Sequence, residues 1–339
     1  MNEIDKKVKN EIIVEYNQYM DNVLYNEAKL QKELFDLNKT QNIKVIFMGT
    51  PEFSIPTLKA LIENTNVIAV VTQPDKKVGR KQILTETPIK VLAKAHNIPV
   101  FQPEKLKEIT DELIALEPDF IITCAYGQIV PEDILAIPKY YPLNVHASLL
   151  PKYRGAAPIQ YAIMNNDTVT GITIMEMEKG LDSGGIFSQI LVPIRPYDNL
   201  KTMHDKLSIS GAELLIPTLK EIVEEKLKPE PQDESKVTLS PKITKEDELI
   251  DWNQDSVTVF NHIRALNPVP GAYTDILDKN IKIYDATYEI KETGAKPGMM
   301  IEDDKTLTIT TTDGVIIIKT LQVAGKKKIT ALDYINSNR

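Results

Sequence analysis

Apolar and polar positions change their spacing along the chain, and each change marks a different kind of predicted element. In the first forty residues, apolar side chains recur at steps of three and four, interrupted at Glu27, as on one face of a helix. They are Ile13, Tyr16, Met20, Val23, Leu30, Leu34 and Leu37. We predict an amphipathic helix or helix pair within residues 1–41, packed on its own chain or on a second copy, with a dedicated partner as the alternative.

Short continuous apolar runs replace this pattern from Ile43 and alternate with helical segments. This arrangement is typical of a parallel sheet covered on both faces. The predicted strands span residues 43–48, 67–72, 120–125, 143–147, 171–177 and 186–194, and a long helix spans 200–225. Residues 42–225 are therefore predicted to form one Rossmann-like α/β domain.

A change in composition separates this domain from the rest of the chain. Residues 226–241 carry three prolines among charged residues and few apolar ones, which is typical of a linker. Beyond it, short strand-like runs alternate with turns at 272–276, 281–288, 306–311 and 315–321, with a helix at 257–266. This spacing predicts a small β-barrel of the OB-like type over residues 242–339.

Charge and cysteine content narrow the functional classes. A formal net charge of -8 argues against coating nucleic acid or binding DNA broadly, although it permits a local basic surface for one folded RNA. The single cysteine, Cys124, excludes an internal disulfide and is predicted to be a buried structural thiol. Without an apolar stretch long enough to cross a bilayer, we expect a cytoplasmic protein that does not enter membranes.

Two polar residues share one side of a predicted strand near its carboxyl end. Asn144 and His146 are two positions apart, so they project together, at the edge where open α/β sheets place their ligands. A hydrogen-bonded polar pair at a sheet edge is the structural alternative. A third candidate, Asp182, lies in the glycine-rich segment Gly180–Gly185. An amide, an imidazole and a carboxylate together supply oxyanion stabilisation and proton transfer for acyl transfer without a metal.

The segments around these residues form a composite motif. It comprises Asn144-x-His146-x-Ser148-Leu149-Leu150-Pro151, then Tyr153-Arg154-Gly155-Ala156-Ala157-Pro158-Ile159, Gly171-Ile172-Thr173 and Leu181-Asp182-Ser183-Gly184. This motif closely resembles that of the folate-dependent formyltransferases. The resemblance runs from about Ile43 to the region of Ala324 and leaves out the first forty or so residues.

The resemblance implies 10-formyltetrahydrofolate as formyl donor and a role for each matching residue. Asn144 would hold the oxyanion, and His146 would assist it and pass a proton. Asp182 would orient His146 and accept the proton of the amine through water. The donor would be bound by Tyr126, Gly127 and Ile129, in the segment that would line a pterin pocket, and by Ser148, Leu149, Leu150 and Pro151.

Two features bear on which amine accepts the formyl group. A basic loop carries Lys76, Lys77, Arg80 and Lys81, and the resemblance implies that it meets the acceptor end of a methionyl initiator tRNA, with Arg80 as the functional arginine. The alternative is a solvated charged loop. The C-terminal segments resemble the C-terminal domain of the family, which excludes the short purine-pathway relatives. Three adjacent lysines at 326–328 either touch phosphate or form an ordinary charged turn.

Other readings remain open at this point. Formyl transfer to an amino sugar and hydrolysis of formylfolate use the same core, so they are alternatives for this chain. A dehydrogenase is disfavoured because the three-glycine dinucleotide fingerprint is absent after the first strand. A catalytically silent RNA-binding module is disfavoured by the joint presence of Asn144, His146 and Asp182. His96 and His204, in helical contexts, are predicted to be surface residues.

Overall fold

The computed structural model describes residues 41–79, 81–276, 280–303 and 305–338. Residues 1–40, which hold the predicted amphipathic helix, lie outside this range, as does Arg80. In the part described, no helix is both long and apolar enough to cross a membrane.

Within the described residues, nine strands precede the long helix of the first domain. They are β1 (Lys44–Gly49), β2 (Asn66–Val71), β3 (Lys76–Val78), β4 (Ile83–Thr85), β5 (Val100–Phe101), β6 (Phe120–Cys124), β7 (Tyr141–His146), β8 (Val169–Glu176) and β9 (Ile186–Pro193). Seven of them form one sheet in the order β5-β2-β1-β6-β7-β8-β9. The first five in that order are parallel, which confirms the predicted parallel sheet, whereas β8 and β9 extend it as antiparallel strands.

Helices cover both faces of this sheet. They are α1 (Ile55–Asn64), α2 (Pro88–Ala95), α3 (Thr110–Ala115), α4 (Glu132–Leu135), α5 (Pro158–Met164) and α6 (Leu200–Val223). Alternate residues of β1 enter different cores: Val45 and Phe47 join the larger one and Ile46 and Met48 the other. This two-sided burial explains why the strands read as continuous apolar runs.

The C-terminal part folds around an antiparallel sheet, as its sequence predicts. Its strands are β10 (Ala272–Thr274), β11 (Ile281–Ile290), β12 (Met300–Glu302), β13 (Leu307–Thr310), β14 (Gly314–Val323) and β15 (Ile329–Thr330). They are ordered β10-β11-β14-β13-β12, with β15 also paired to β14. Two helices, α7 (Ser256–Ala265) and α8 (Ala331–Asn338), flank the sheet. Trp252 packs in the hydrophobic core of this part, and its indole N–H donates to Thr274 Oγ1 over 2.9 Å.

A buried arginine joins the two parts of the molecule. Arg264, on α7, donates from one guanidinium nitrogen to the carbonyl oxygens of Asp198 at 2.8 Å and Arg195 at 3.3 Å, just before α6. Asn261 accepts from Arg264 Nε at 2.8 Å. Because buried donors need partners, these bonds favour one fixed arrangement of α7 against the first domain.

The segment predicted as a linker, residues 226–241, lies along the first domain. Glu230 and Ile186 exchange two backbone hydrogen bonds of 2.8 Å, and Ser240 N donates to Arg154 O over 2.8 Å. The proline-rich composition indicated a linker between two domains, which stays a prediction. Its contacts with the first domain were not predicted.

Candidate active site

A cavity of about 570 Å³ opens where the carboxyl halves of β6 and β7 meet the connection between β8 and β9. Asn144, His146 and Asp182 all line it. The first two project from the same side of β7, as the alternation of a strand requires. The connection over residues 177–185 folds back over the sheet and brings Asp182 to them, so the structure brings together all three predicted catalytic side chains.

The Asn144 side chain is oriented by a neighbouring strand. β6 and β7 pair with Thr123 beside Asn144, and Thr123 Oγ1 donates to Asn144 Oδ1 over 2.9 Å. Thr123 is 3 % exposed, and Met177 Sδ lies 3.0 Å from the same hydroxyl. Since the amide oxygen is engaged here, the amide nitrogen is the donor that Asn144 offers to the cavity.

Hydrogen bonding defines the tautomer of His146. Its Nε2 lies 3.0 Å from the carbonyl oxygen of Tyr153, and a carbonyl oxygen can only accept, so Nε2 carries a hydrogen. In the neutral ring, Nδ1 then has the free lone pair. That nitrogen lies 3.7 Å from Asp182 Oδ2, which is too long for a direct hydrogen bond but close enough to stabilise a protonated imidazole.

Asp182 occupies a turn whose backbone has an unusual conformation. Its φ angle is +45°, in the left-handed region that few residues with a side chain adopt, although Asp is among the more tolerant. The side chain is 17 % exposed. Gly155 donates its backbone N–H to Asp182 Oδ2 over 2.9 Å, which fixes the orientation of the carboxylate.

A sharp turn after β6 forms another wall of the cavity. Ala125 and Gly127 have φ angles of +48° and +86°, so the chain reverses direction immediately after the strand. Thr50 Oγ1 and Gln73 Nε2 both donate to the carbonyl oxygen of Tyr126, at 2.9 and 3.3 Å. Ala125, Tyr126, Gly127 and Gln128 of this turn line the cavity, together with the apolar side chain of Val130.

The predicted donor-binding residues divide between the cavity and its surroundings. Tyr126 and Gly127 line the cavity, and burial raises the pKa of the Tyr126 hydroxyl to about 12. Ile129 is 91 % exposed. The segment 148–151 lies beyond β7, and its buried Ser148 donates to Lys152 O over 2.6 Å.

Leu150, in the same segment, is also held by the sheet. Its backbone N–H donates to Thr173 Oγ1 over 3.1 Å, and its carbonyl accepts from Gln189 Nε2 over 2.9 Å. These bonds fix the path of residues 148–151, including Leu149 and Pro151. Contact of this segment with a folate stays a prediction.

The end of the cavity away from the turn is mostly apolar and was not predicted. Phe53, Ile159 and Leu200 line it together with His204, whose ring lies 5.1 Å from the Phe53 ring in an edge contact. The His204 side chain is 29 % exposed, so this residue is partly buried in the cavity wall and not a fully exposed surface residue. Only tertiary packing brings α6 to this wall, and the helical periodicity carried no sign of it.

The predicted basic loop is a β-hairpin at the same edge of the sheet as the cavity. β3 and β4 pair in an antiparallel manner, and Lys76, Lys77 and Lys81 are exposed on it. The hairpin is anchored by Asp75, which accepts from Lys90 Nζ at 2.6 Å and Gln102 Nε2 at 2.7 Å. These two hydrogen bonds hold the pKa of the Asp75 carboxyl below its usual value.

Cys124 is buried, as predicted, and belongs to the core rather than to the site. Burial raises the pKa of its thiol to about 11, so it is a poor nucleophile at neutral pH. Ser54 Oγ donates to the Cys124 carbonyl oxygen over 2.5 Å, which ties the first turn after β1 to the end of β6.

The formyl transferase family matches residues 41–219 and its C-terminal domain matches residues 242–339. The chain belongs to this family. Among curated relatives, it is 51 % identical over 289 residues to the methionyl-tRNA formyltransferase of Listeria monocytogenes, covering 84 % of this chain and 93 % of the relative.

A second relative agrees with this membership, and a solved structure agrees with the fold. The methionyl-tRNA formyltransferase of Staphylococcus aureus is 50 % identical over 299 residues, covering 86 % of this chain and 96 % of the relative. The structure of an N-formyltransferase from Helicobacter canadensis, in complex with folinic acid and dTDP-3-aminofucose, superposes with a TM-score of 0.64 and 21 % identity. It covers 85 % of this chain and 100 % of that one, and at this identity it supports the fold alone.

Proposed function

We propose that this chain transfers the formyl group of 10-formyltetrahydrofolate to the free amino group of methionyl-tRNA. The observation that carries the proposal is the convergence of Asn144, His146 and Asp182 on one cavity. The relatives at about 50 % identity over most of the chain, all methionyl-tRNA formyltransferases, favour this acceptor over an amino sugar or water.

The chemistry needs one bond formed, one bond broken and one proton moved. The amine nitrogen attacks the formyl carbon, and the carbonyl electrons move onto the oxygen. When they return, the bond from that carbon to the donor nitrogen breaks. The proton lost by the amine ends on the departing nitrogen, so tetrahydrofolate and a formylated amine are the products.

Each of the three side chains has a place in this sequence. The Asn144 amide nitrogen donates to the developing oxyanion, where a fixed donor lowers the barrier more than it stabilises the substrate. His146 Nδ1, with its free lone pair, takes up the proton and passes it on. Asp182 orients His146 and receives the amine's proton through a water molecule. It passes that proton on to His146 Nδ1, 3.7 Å away, and its restored negative charge then stabilises the protonated ring.

The donor fits the turn after β6. A flat heterocycle is bound well by a slot that combines backbone groups with an apolar floor, and this part of the cavity is lined by Ala125, Tyr126, Gly127, Gln128 and Val130. Tyr126, Gly127 and Ile129 would contact the pterin. The segment 148–151 would support the rest of the donor from the adjoining edge of the sheet.

The acceptor would approach from the β3–β4 hairpin and the C-terminal domain. Lys76, Lys77 and Lys81 are exposed on the hairpin, where they can meet phosphates of the RNA. Arg80 lies between them in the sequence. We assign formyl transfer to residues 42–225 and RNA binding to residues 242–339, joined by 226–241, and we expect the enzyme to act in the cytoplasm on methionyl initiator tRNA.

A competition assay tests this proposal. The purified chain is given labelled 10-formyltetrahydrofolate with methionyl-tRNA, an amino sugar nucleotide and water present together, and each formylated product is measured. We expect label on methionyl-tRNA with much slower release of formate. Preferential formylation of the sugar, or formate as the main product, would instead identify a sugar formyltransferase or a hydrolase.

A further inference from the structure

Gln232 connects two segments that meet at the proposed catalytic carboxylate. Its Nε2 donates to the carbonyl oxygens of Asp182 at 2.8 Å and Gly184 at 2.7 Å. Its Oε1 accepts from Arg154 Nε at 3.0 Å and from a terminal nitrogen of the same guanidinium at 2.9 Å. An amide has two donor hydrogens and two acceptor lone pairs, so the whole hydrogen-bonding capacity of Gln232 is used.

Arg154 extends this connection to the other side of the carboxylate. It is 6 % exposed and also donates to Glu234 Oε1 over 2.7 Å. The residue after it, Gly155, donates its backbone N–H to Asp182 Oδ2. The amide nitrogen of Gln232 therefore holds the backbone of the Asp182 turn. Its amide oxygen holds Arg154, and the next residue, Gly155, donates to the Asp182 carboxylate.

The Asp182 turn needs such support because its conformation is uncommon. A φ of +45° is unfavourable for a residue with a side chain unless the surroundings impose it. A carbonyl on each side of Ser183 is held by the same amide. The position of the carboxylate relative to His146 thus depends on a residue from outside the motifs that carry the catalytic groups.

We propose that Gln232 is a positioning residue that holds Asp182 in place for proton transfer. The role given to Asp182 rests on the proposed function. The segment 226–241 is therefore a fixed part of the catalytic site, in addition to connecting the two domains.

If Gln232 had only a structural role, changing it would release the segment 226–241 from the first domain. The segment has other anchors: the Glu230–Ile186 pair, with two bonds of 2.8 Å, and the bonds of Arg154 N to Thr238 O and of Ser240 N to Arg154 O, at 2.9 and 2.8 Å. These contacts remain when Gln232 is changed. Loss of its amide donor should therefore loosen the Asp182 turn without releasing the segment.

The variant Gln232→Glu tests the loss of the amide donor. It keeps the length of the side chain and an oxygen for Arg154, but its carboxylate cannot donate to the carbonyls of Asp182 and Gly184. The matched control is Gln322→Glu in the C-terminal sheet, because Gln322 likewise donates to a carbonyl, Lys326 O at 2.7 Å, and accepts from Tyr284 at 2.8 Å.

We expect kcat of Gln232→Glu to fall at least about tenfold, since small misplacements of a catalytic group have effects of this size or larger. KM for the folate donor should stay within about twofold, and the unfolding temperature should match that of the control variant. When Gln232→Glu is added to Asp182→Asn, the further decrease in kcat should be less than about twofold. The effects of substitutions at residues that act as a unit are not additive.

Three results would overturn the inference. The kcat of Gln232→Glu could stay within about twofold of wild type, or it could fall only as much as that of Gln322→Glu. Alternatively, Gln232→Glu could lower kcat in the Asp182→Asn background as much as it does in the wild type. If Gln232→Glu does not fold, Gln232→Met, which has a similar length and no charge, is judged by the same criteria. The wild-type chain assayed in parallel tests the proposed function separately. Should it use another acceptor, the ratio of variant to wild type on that acceptor still decides the role of Gln232.

Discussion

Thr123 Oγ1 donates a hydrogen bond of 2.9 Å to Asn144 Oδ1 across the paired strands β6 and β7. This bond engages the amide oxygen and leaves the amide nitrogen for the cavity. An oxyanion needs a donor that is already oriented before reaction, because reorientation during the reaction would cost part of the stabilisation. The proposed function of Asn144 thus depends on a neighbour on the adjacent strand, Thr123, which also lines the cavity.

Replacing Asn144 by alanine should remove the oxyanion donor. We expect Asn144→Ala to lower kcat by about a hundredfold or more while KM for the folate donor changes little, because this donor acts mainly in the transition state. Steady-state kinetics with methionyl-tRNA measures both constants. A loss confined to KM would show that Asn144 binds substrate rather than the transition state.

Replacing Thr123 should have a smaller effect on the same step. Thr123→Val keeps the shape of this buried side chain but removes the hydroxyl, so we expect kcat to fall by roughly fivefold, as for one hydrogen bond of about 1 kcal/mol. Thr123→Ser, which retains the hydroxyl, should keep most of the activity. Equal losses in the two variants would point to packing instead, and any further loss of kcat in an Asn144→Ala background would show that Thr123 acts elsewhere.

The carboxylate can be tested without changing the shape of its side chain. Asp182→Asn keeps an oxygen that can accept from Gly155 N, 2.9 Å away in the wild type, but removes the charge that stabilises protonated His146. We expect about a hundredfold lower kcat, within the range for groups that move protons. The measurement is a pH–rate profile of wild type and variant, and near-normal activity across that range would remove Asp182 from the mechanism.

Strand alternation was sufficient to predict part of this site. Because side chains two apart share one side, the sequence indicated that Asn144 and His146 act together at a strand end. Their contact with Asp182 was inferred from the family resemblance, since no periodicity relates residues so far apart in the chain. Thr123 escaped notice because its place beside Asn144 depends on the register between β6 and β7, which the sequence pattern does not determine.

The segment 226–241 shows the same limit of local patterns. Its prolines and charges indicated a linker between two domains. They could not indicate that Gln232 reaches Asp182 O and Gly184 O, because those contacts depend on how the segment crosses the first domain. Composition describes what a segment can form by itself, whereas its tertiary partners are set elsewhere in the chain.

A buried carboxylate next to the domain junction should make stability depend on pH. Burial raises the pKa of Asp198, but hydrogen bonds from Lys206, the Arg195 backbone and Thr202 outweigh this effect and hold the pKa below its ordinary value of 3.8. A lowered pKa in the folded state means that ionised Asp198 stabilises the fold above about pH 3.8. This contribution is lost as the pH falls through the folded-state pKa.

We therefore expect Asp198→Asn to lower the free energy of unfolding by about 2 kcal/mol at pH 7, the scale for hydrogen bonds to a charged group. The difference from wild type should shrink as the pH falls below about 3.8. Denaturant unfolding at several pH values measures this difference in the free energy of unfolding. The control is Asp205→Asn on α6, the helix that follows Asp198. The Asp205 side chain is 49 % exposed, so the loss of stability should be small. If the loss of unfolding free energy in Asp198→Asn did not vary with pH, the stabilisation would not come from the ionised Asp198 carboxylate.

The acceptor can be tested at the basic hairpin. Lys76 and Lys77 are exposed on β3, and Lys81 is exposed beyond the turn. Contacts between lysine and phosphate release counterions, so the affinity for RNA should fall with added salt. Each lost contact should reduce the slope of that dependence by about one unit. We expect the double variant Lys76→Ala, Lys77→Ala to weaken binding of methionyl-tRNA and to flatten its salt dependence, with unchanged affinity for the folate donor.

Arg80→Ala should depress formylation of methionyl-tRNA much more than background hydrolysis of formylfolate, because hydrolysis needs only the catalytic core. Lys139→Ala is a suitable control, since Lys139 is exposed just before β7 begins, at the edge of the sheet away from the cavity. That variant should leave both binding and its salt slope as in wild type. If the hairpin variants behave like Lys139→Ala, the hairpin is a solvated surface feature. The RNA acceptor would then lose support relative to an amino sugar or water.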